Sequence, residues 1–438
     1  MKALRKLCLA LCLLSALALI WGLLSAQSLI WQPAAVAVCL MGAIGIGAVP
    51  ALQNYQYTAW IITAVVAAMI YPAAFLKWGS FDLRNKWLIL VVVQIVMFGM
   101  GIQMSLRDFT GLGSTGKGVL IGLTCHFTIM PLTGFLLTKI LHFEPEIAAG
   151  IILIGSCSSG LASNVMVYLA RANLILSVTV TAMATLAAPF LTPVLMKLLA
   201  GTLIQIKFIN MMMEIIKIVL VPIGAALLHD YLKRALSAKR RMVYLIATAC
   251  MLYLLALPMG LYHVQQNYLP EAAMQSVEVF GFLVGAFVVG AAYHQLYRAK
   301  PKVDQYIPYL SMFGIIYFTA VTTAAGRENL LHVGLLLFLA SVFHNGAGYF
   351  FGYWLSRLFG LDKNSSRTVA FEVGLQNGGM ASGLAGTMGK LATVGLAAAV
   401  FSPWMNISGS ILANYWRRKP ADDIPETNVD VMHSKQDL

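Results

Sequence analysis

The sequence predicts an all-α polytopic membrane protein whose two halves are inverted repeats, each carrying one broken helix. Three observations predict it. Of 438 residues, 59% are hydrophobic and only 11% charged, with a mean hydropathy of +0.79. A soluble domain carries about 25% charged residues, so this chain cannot cover a soluble surface. Apolar runs of bilayer-spanning length recur along the whole chain. Two of those runs are interrupted by polar, glycine-studded stretches, Gly155-Ser-Cys-Ser-Ser-Gly-Leu-Ala-Ser-Asn164 and Phe371-Glu-Val-Gly-Leu-Gln-Asn-Gly-Gly379. Unwound backbone at bilayer depth must line a cavity or bind something, and a matched pair of such breaks points to the binding site of a secondary transporter.

The runs fall at about 4–25, 30–50, 58–76, 87–105, 116–140, 147–171, 174–200, 208–230, 242–262, 272–297, 306–325, 330–357, 368–389 and 391–415, which gives fourteen expected spans. The first follows Met1-Lys-Ala-Leu-Arg-Lys and is longer than the apolar region of a usual cleaved leader, so it reads as a span; cleavage would leave the later topology unchanged. Basic clusters at Lys233/Arg234, Lys239-Arg240-Arg241, Arg298/Lys300/Lys302 and Arg417-Arg418-Lys419 fall on one side if both termini are cytoplasmic. The loop at 77–86 fits least well, being basic and placed outside. The tail 416–438 is polar and acidic and is expected to be a disordered cytoplasmic end.

Fourteen spans divide into seven and seven, and an odd-numbered repeat must be inverted relative to its partner. The sixth span carries Ser163-Asn164 and the thirteenth carries Glu372, Gln376 and Asn377. The spans before them also correspond, with His126 in one and His344-Asn345 in the other.

The net charge of +13 marks topology and gives no ground for a nucleic-acid partner. The six cysteines all lie in apolar runs and read as buried small side chains rather than disulfides or metal ligands. No His-Glu-x-x-His spacing or nucleophile–base pair marks an intramembrane enzyme.

Glu372 is the residue most in need of explanation. An ionised carboxylate at mid-membrane needs a partner, and its own span offers no Lys or Arg before Lys390. A bound sodium ion, held by hard oxygens, is the favoured partner; the other reading is a protonated acid bonded to a neighbouring helix. Ser177 and Thr181 are four apart and share a helix face; with Ser163 and Asn164 across the 171–174 turn they make an oxygen-rich set. Helix packing by small hydroxyl residues is the alternative. Half-helix N-termini at each break suit an anionic substrate. Glu214 and Lys217 lie three apart and can pair, and Glu278 has no assigned role.

These residues resemble the bile acid:sodium symporter family. The motifs that carry the resemblance are Met97-Phe-Gly-Met-Gly101, Met130-Pro131, Ala162-Ser-Asn-Val-Met-Val-Tyr-Leu-Ala170, Ser177-Val-Thr-Val-Thr181, Lys217-Ile-Val-Leu-Val-Pro222, His344-Asn-Gly-Ala-Gly-Tyr349, Glu372-Val-Gly-Leu-Gln-Asn377 and Asn406-Ile-Ser-Gly-Ser410. The resemblance implies ten helices in two inverted repeats, divided into a core and a panel, with two discontinuous helices that cross. On that basis residues 1–57 are a two-helix extension, 58–205 the first repeat, and 206–415 the second, with a helix pair inserted at about 242–297. It also implies a first sodium site at Ser163, Asn164, Ser177, Thr181 and Glu372. A second is implied at Glu372, Val373, Leu375 and Gln376, with His126 standing where the family has a glutamine ligand. Asn377 matches a contact to the organic anion.

The sequence departs from the family pattern at Cys157-Ser158-Ser159-Gly160-Leu161 and at Met405-Asn-Ile-Ser-Gly-Ser410. A substrate-facing threonine and an imidazole are lost there, so Ser158, Ser159, Leu161 and Met405 are expected to reshape the substrate pocket. For His126 two readings stand side by side. In one, the second cation site is weakened or proton-linked; in the other, His126 bonds Gln376 and one sodium site survives. The expected activity is sodium-coupled symport of an organic anion by alternating access, in a multi-pass protein of a bacterial inner membrane. The substrate would be bile acid-like, a steroid conjugate or a small carboxylate; no organic cofactor is expected, and no oligomeric state is assigned. Proton-coupled or exporting transport on the same fold is the alternative, and a non-transporting membrane sensor the alternative of another class.

Overall fold

The computed structural model describes residues 2–419 and Ala421. Most of the expected tail, residues 422–438, lies outside the described residues. The chain forms α1 (Lys2–Leu24), α2 (Ser28–Gly45), α3 (Gln56–Ile70), α4 (Pro72–Leu76), α5 (Lys86–Ile102), α6 (Leu112–Leu141), α7 (Pro145–Ser156), α8 (Leu161–Leu169) and α9 (Leu174–Ala200). It continues through α10 (Phe208–Ile215), α11 (Val221–Arg234), α12 (Ser237–Ala256), α13 (Tyr262–Tyr268), α14 (Glu271–Ala299) and α15 (Val303–Ala325). It ends with α16 (Arg327–Leu358), α17 (Lys363–Gly374), α18 (Gly378–Thr387) and α19 (Leu396–Arg417). π-helical turns at Ile216–Leu220 and Leu257–Leu261 join α10 to α11 and α12 to α13.

Among the described residues, 10 helices are long and apolar enough to cross a membrane. The other four apolar runs of the sequence fall on α3, on α5, and on the paired short helices α7/α8 and α17/α18. The α7/α8 and α17/α18 interruptions lie inside the two glycine-studded stretches. Local signals set the helix starts. Asn85, Asn173, Asp362 and Asn377 each accept a backbone N–H of the first turn through the side chain, at 2.9, 3.1, 2.8 and 2.9 Å.

The helices pack as two groups. In one, α6, α7, α9, α16, α17 and α19 surround one another; in the other, α3, α5, α11 and α15 are neighbours. The short helices α7 and α17 are innermost, buried from Ile147 to Ser156 and from Asn364 to Gly374. The α1–α2 hairpin leans on α3, α14 leans on α11, and α12 packs on α14. A Cβ on Gly290 would stand 2.5 Å from the Ala225 carbonyl oxygen, so the absence of a side chain lets α14 close onto α11. Asp304 of α15 fastens that contact, pairing with Lys233 at 2.6 Å and accepting from the Tyr293 hydroxyl at 2.7 Å.

The loop at 77–86 contains a feature the hydropathy pattern does not announce. Lys77–Trp78 and Phe81–Asp82 form a two-stranded hairpin turning at Gly79, whose φ is +62°. Arg84 bonds Asp82 at 2.8 Å and holds its carboxyl below the usual range.

Candidate functional site

The site forms where the two breaks cross. α7 stops at Ser156 and α8 starts at Leu161; α17 stops at Gly374 and α18 starts at Gly378. Between them the two extended segments pair as a short antiparallel bridge at Ser159 and Gln376. Gly160 N–H donates to the Leu375 carbonyl at 3.0 Å, and Asn377 N–H donates to the Ser158 carbonyl at 2.8 Å. Each break thus satisfies backbone groups that the other has released, which buried unwound chain requires. Gly160 makes the approach possible, because a Cβ there would lie 2.9 Å from the Gln376 carbonyl oxygen.

The surrounding long helices hold the remaining carbonyls. Asn345 of α16 donates to the Gly374 carbonyl at 2.7 Å, and its own Oδ1 accepts from Ser408 at 2.5 Å. Gln376 Nε2 donates to the Val373 carbonyl at 2.7 Å. His126 of α6 lies between the breaks, Nδ1 2.9 Å from the Glu372 carbonyl oxygen and Nε2 2.8 Å from that of Cys157. Its partners are therefore backbone oxygens and not the Gln376 side chain.

Glu372 is fully buried on the last turn of α17. Its Oε1 accepts from Ser177 Oγ at 2.5 Å, and its Oε2 accepts from Ser159 Oγ at 2.7 Å and Thr181 Oγ1 at 2.8 Å. Asn164 Oδ1 lies 2.7 Å from Ser177 Oγ and 3.3 Å from Thr181 Oγ1. Ser163 Oγ is 3.1 Å from Ser159 Oγ and donates to the Gly160 carbonyl at 2.7 Å. The hydroxyls of Ser177 and Thr181 therefore face two acceptors with one proton each. The ion pairs of the described residues all lie elsewhere, and none involves Glu372. A buried carboxylate within an oxygen cluster that holds more acceptors than protons is chemistry suited to a small hard cation.

The residues read from the sequence as the first ion set, Ser163, Asn164, Ser177, Thr181 and Glu372, are thus brought together. Ser159, read as substrate-facing, points into this same cluster. Of the second set, the carbonyls of Val373 and Leu375 accept from Gln376 Nε2 and Gly160 N–H, and that of Glu372 lies against the His126 ring. Ser158, Asn377 and Met405 are buried around the crossing. Ser158 Oγ is 3.7 Å from Met380 Sδ, Asn377 Nδ2 is 3.5 Å from Met100 Sδ of α5, and Met405 Sδ accepts the Gln376 N–H at 3.3 Å. Leu161, the first residue of α8, is half-buried. Sequence reasoning did not single out Asn345 as a prop for the second break, although the His344-Asn345 pair was visible as a polar spot in its span.

The profile of the Sodium Bile acid symporter family matches residues 90–267. The uncharacterized sodium-dependent transporter YocS of Bacillus subtilis is 32% identical over 82% of this chain and 90% of its own length. A probable sodium/metabolite cotransporter, BASS1, of Oryza sativa chloroplasts is 30% identical over 84% of this chain and 73% of its own. The human ileal sodium/bile acid cotransporter is 26% identical over 66% and 65%.

Proposed function

Because the chain belongs to the sodium bile acid symporter family, we propose that it carries an organic anion across the membrane together with sodium bound at Glu372. One observation carries this reading. A fully buried carboxylate with no basic partner among the described residues is held by Ser159 from one break and by Ser177 and Thr181 from α9. Sodium supplies the missing positive charge, and Asn164, Ser163 and the hydroxyls supply the oxygens that replace its water.

The ion couples to substrate through the crossing. The N-termini of α8 and α18 carry partial positive charge, which favours an anion beside them. Ser158, Asn377 and Met405 lie at that crossing, and Asn377 reaches Met100 on α5 of the second helix group. The organic anion, a bile acid-like molecule, a steroid conjugate or a small carboxylate, occupies the boundary between the groups, and its carboxylate or sulfate meets Asn377. The group containing the breaks acts as the core and the α3/α5/α11/α15 group as the panel; movement between them gives alternating access. α3, α5 and the two broken pairs complete fourteen spans, with both termini inside and repeats at 58–205 and 206–415. Coupling is to one sodium: of the carbonyls that would form a second site, those of Val373 and Leu375 already accept from Gln376 and Gly160, and the His126 ring stands against that of Glu372.

Uptake of radiolabelled organic anions into proteoliposomes tests the reading. Uptake is expected under an inward sodium gradient and not under potassium, with Glu372→Gln losing nearly all of it. Sodium, but not potassium, is also expected to raise the melting temperature of the wild type and not of Glu372→Gln. Uptake driven by a pH gradient without sodium would favour the proton-coupled alternative, and absence of uptake with intact sodium binding would favour a sensor.

A further inference from the structure

An open-sided chamber lies between the inserted helices and α5. A cavity of about 970 Å³ lies between α5, α10/α11, α12, α14 and the start of α15. Its charged side chains are Lys86 at the start of α5, Glu214 and Lys217 where α10 runs into the π-helical turn, and Glu278 in the first third of α14. Its far end is apolar, with Phe98, Ala225, Val289 and Ile307. From Lys86 to Phe98 along α5 is twelve residues, or about 18 Å at the helical rise. That is close to half of a bilayer's hydrocarbon core of about 30 Å. A chamber polar at one end and one leaflet deep has the shape of a lipid.

The charges choose the headgroup. Lys217 is held by Glu214 at 2.5 Å and lies 5.7 Å above the Phe282 ring. Glu278 is only 3.9 Å from Lys217 and its side chain is 48% exposed, so it keeps oxygens available for another donor. The cavity thus carries two cations and two anions. A purely anionic headgroup would meet both carboxylates; one bearing both signs meets complementary groups. Gly281 and Gly285 on the α14 wall leave the bore open, since a Cβ on either would meet no atom within 4 Å. We propose that this chamber seats one zwitterionic, ammonium-bearing phospholipid, with its ammonium on Glu278, its phosphate on Lys86, and an acyl chain running to Phe98.

The test is lipid retention, which does not depend on transport. The full chain is purified in detergent and examined by native mass spectrometry with equal amounts of chain-matched phosphatidylethanolamine or phosphatidylglycerol. Wild type is expected to keep the ethanolamine lipid at least about fivefold better, a difference of about 1 kcal/mol. Gly285→Leu fills the bore and should cut that adduct about tenfold, with the melting temperature in detergent confirming that the variant is folded. Glu278→Gln should erase the preference between the two lipids while leaving the cavity open. Equal retention of both lipids by wild type, an undiminished adduct in Gly285→Leu, or detergent as the sole occupant would each overturn the assignment.

Discussion

The two broken helices meet in one crossing but bring different chemistry to it. The first break contributes hydroxyls and a glycine: Ser159 reaches the carboxylate, Ser163 lies beside it, and Gly160 lets the backbones touch. The second contributes the charge, Glu372, and the amides of Gln376 and Asn377. Neither half holds the whole cluster. The carboxylate alone would be a costly buried charge, and the hydroxyls alone would be ordinary helix-packing groups. A cluster divided in this way exists only while the crossing is formed, so on the proposed reading ion binding and the relation of the two breaks are one equilibrium. That is the physical basis on which sodium could set the shape offered to an anion.

Removing the hydroxyl side of this division should have the largest effect. In the double variant Ser177→Ala/Thr181→Val, Glu372 and Asn164 lose both shared hydroxyls, while the valine keeps threonine's shape. Hydrogen bonds to a charged group are worth about 1.5–3 kcal/mol each, so the sodium concentration for half-maximal uptake should rise roughly 100-fold. A rise below about threefold would mean that the ion does not sit among these hydroxyls. The expected outcome is a loss of ion affinity that exceeds the loss of stability in sodium-free buffer, read by sodium titration alongside thermal melting.

His126→Ala should show the reverse pattern. His126 stands against the released carbonyls of Cys157 and Glu372, one from each break. A neutral imidazole donates to one of these carbonyls, and leaving that one unpaired while opening a hole in the packing should cost about 2–4 kcal/mol of stability. The melting temperature should fall in sodium and in potassium alike. A variant as stable as wild type would show that His126 does not bind the breaks together.

Much of this was legible in the sequence, for identifiable reasons. Glycine and serine in an apolar run disclose a break because few other residues tolerate unwound chain there, and both breaks lie where composition placed them. The Ser177/Thr181 face follows from a four-residue spacing on one helix. What escaped depended on side-chain direction or on contacts between distant segments. Ser158 and Ser159 are adjacent in an extended segment, so they face opposite ways. A sequence cannot say which one faces the carboxylate, and it is Ser159. Asn345 props the Gly374 carbonyl across 29 positions, and Glu278 finds Lys217 only because α14 docks on α11. Strands of two residues, as at Lys77–Trp78, are too short to show alternation.

Ser159 gives the smallest effect and the sharpest discrimination. Its hydroxyl donates to Glu372 Oε2 at 2.7 Å, but that oxygen also has Thr181 at 2.8 Å, and Oε1 keeps Ser177 at 2.5 Å. Ser159→Ala therefore removes one of three donors and should raise the sodium requirement only about three- to tenfold, the cost of one partly redundant hydrogen bond. If Ser159 belongs to the ion, the organic anion's half-saturation at saturating sodium should not change. If it faces the substrate, as its place in the motif suggests, the anion's half-saturation should shift and sodium dependence should stay. Ser158→Ala supplies the control, because its hydroxyl lies 3.7 Å from Met380 sulfur and touches no atom of the carboxylate cluster. Matched sodium and anion titrations of the two variants thus decide how the first break divides its neighbouring hydroxyls between ion and cargo.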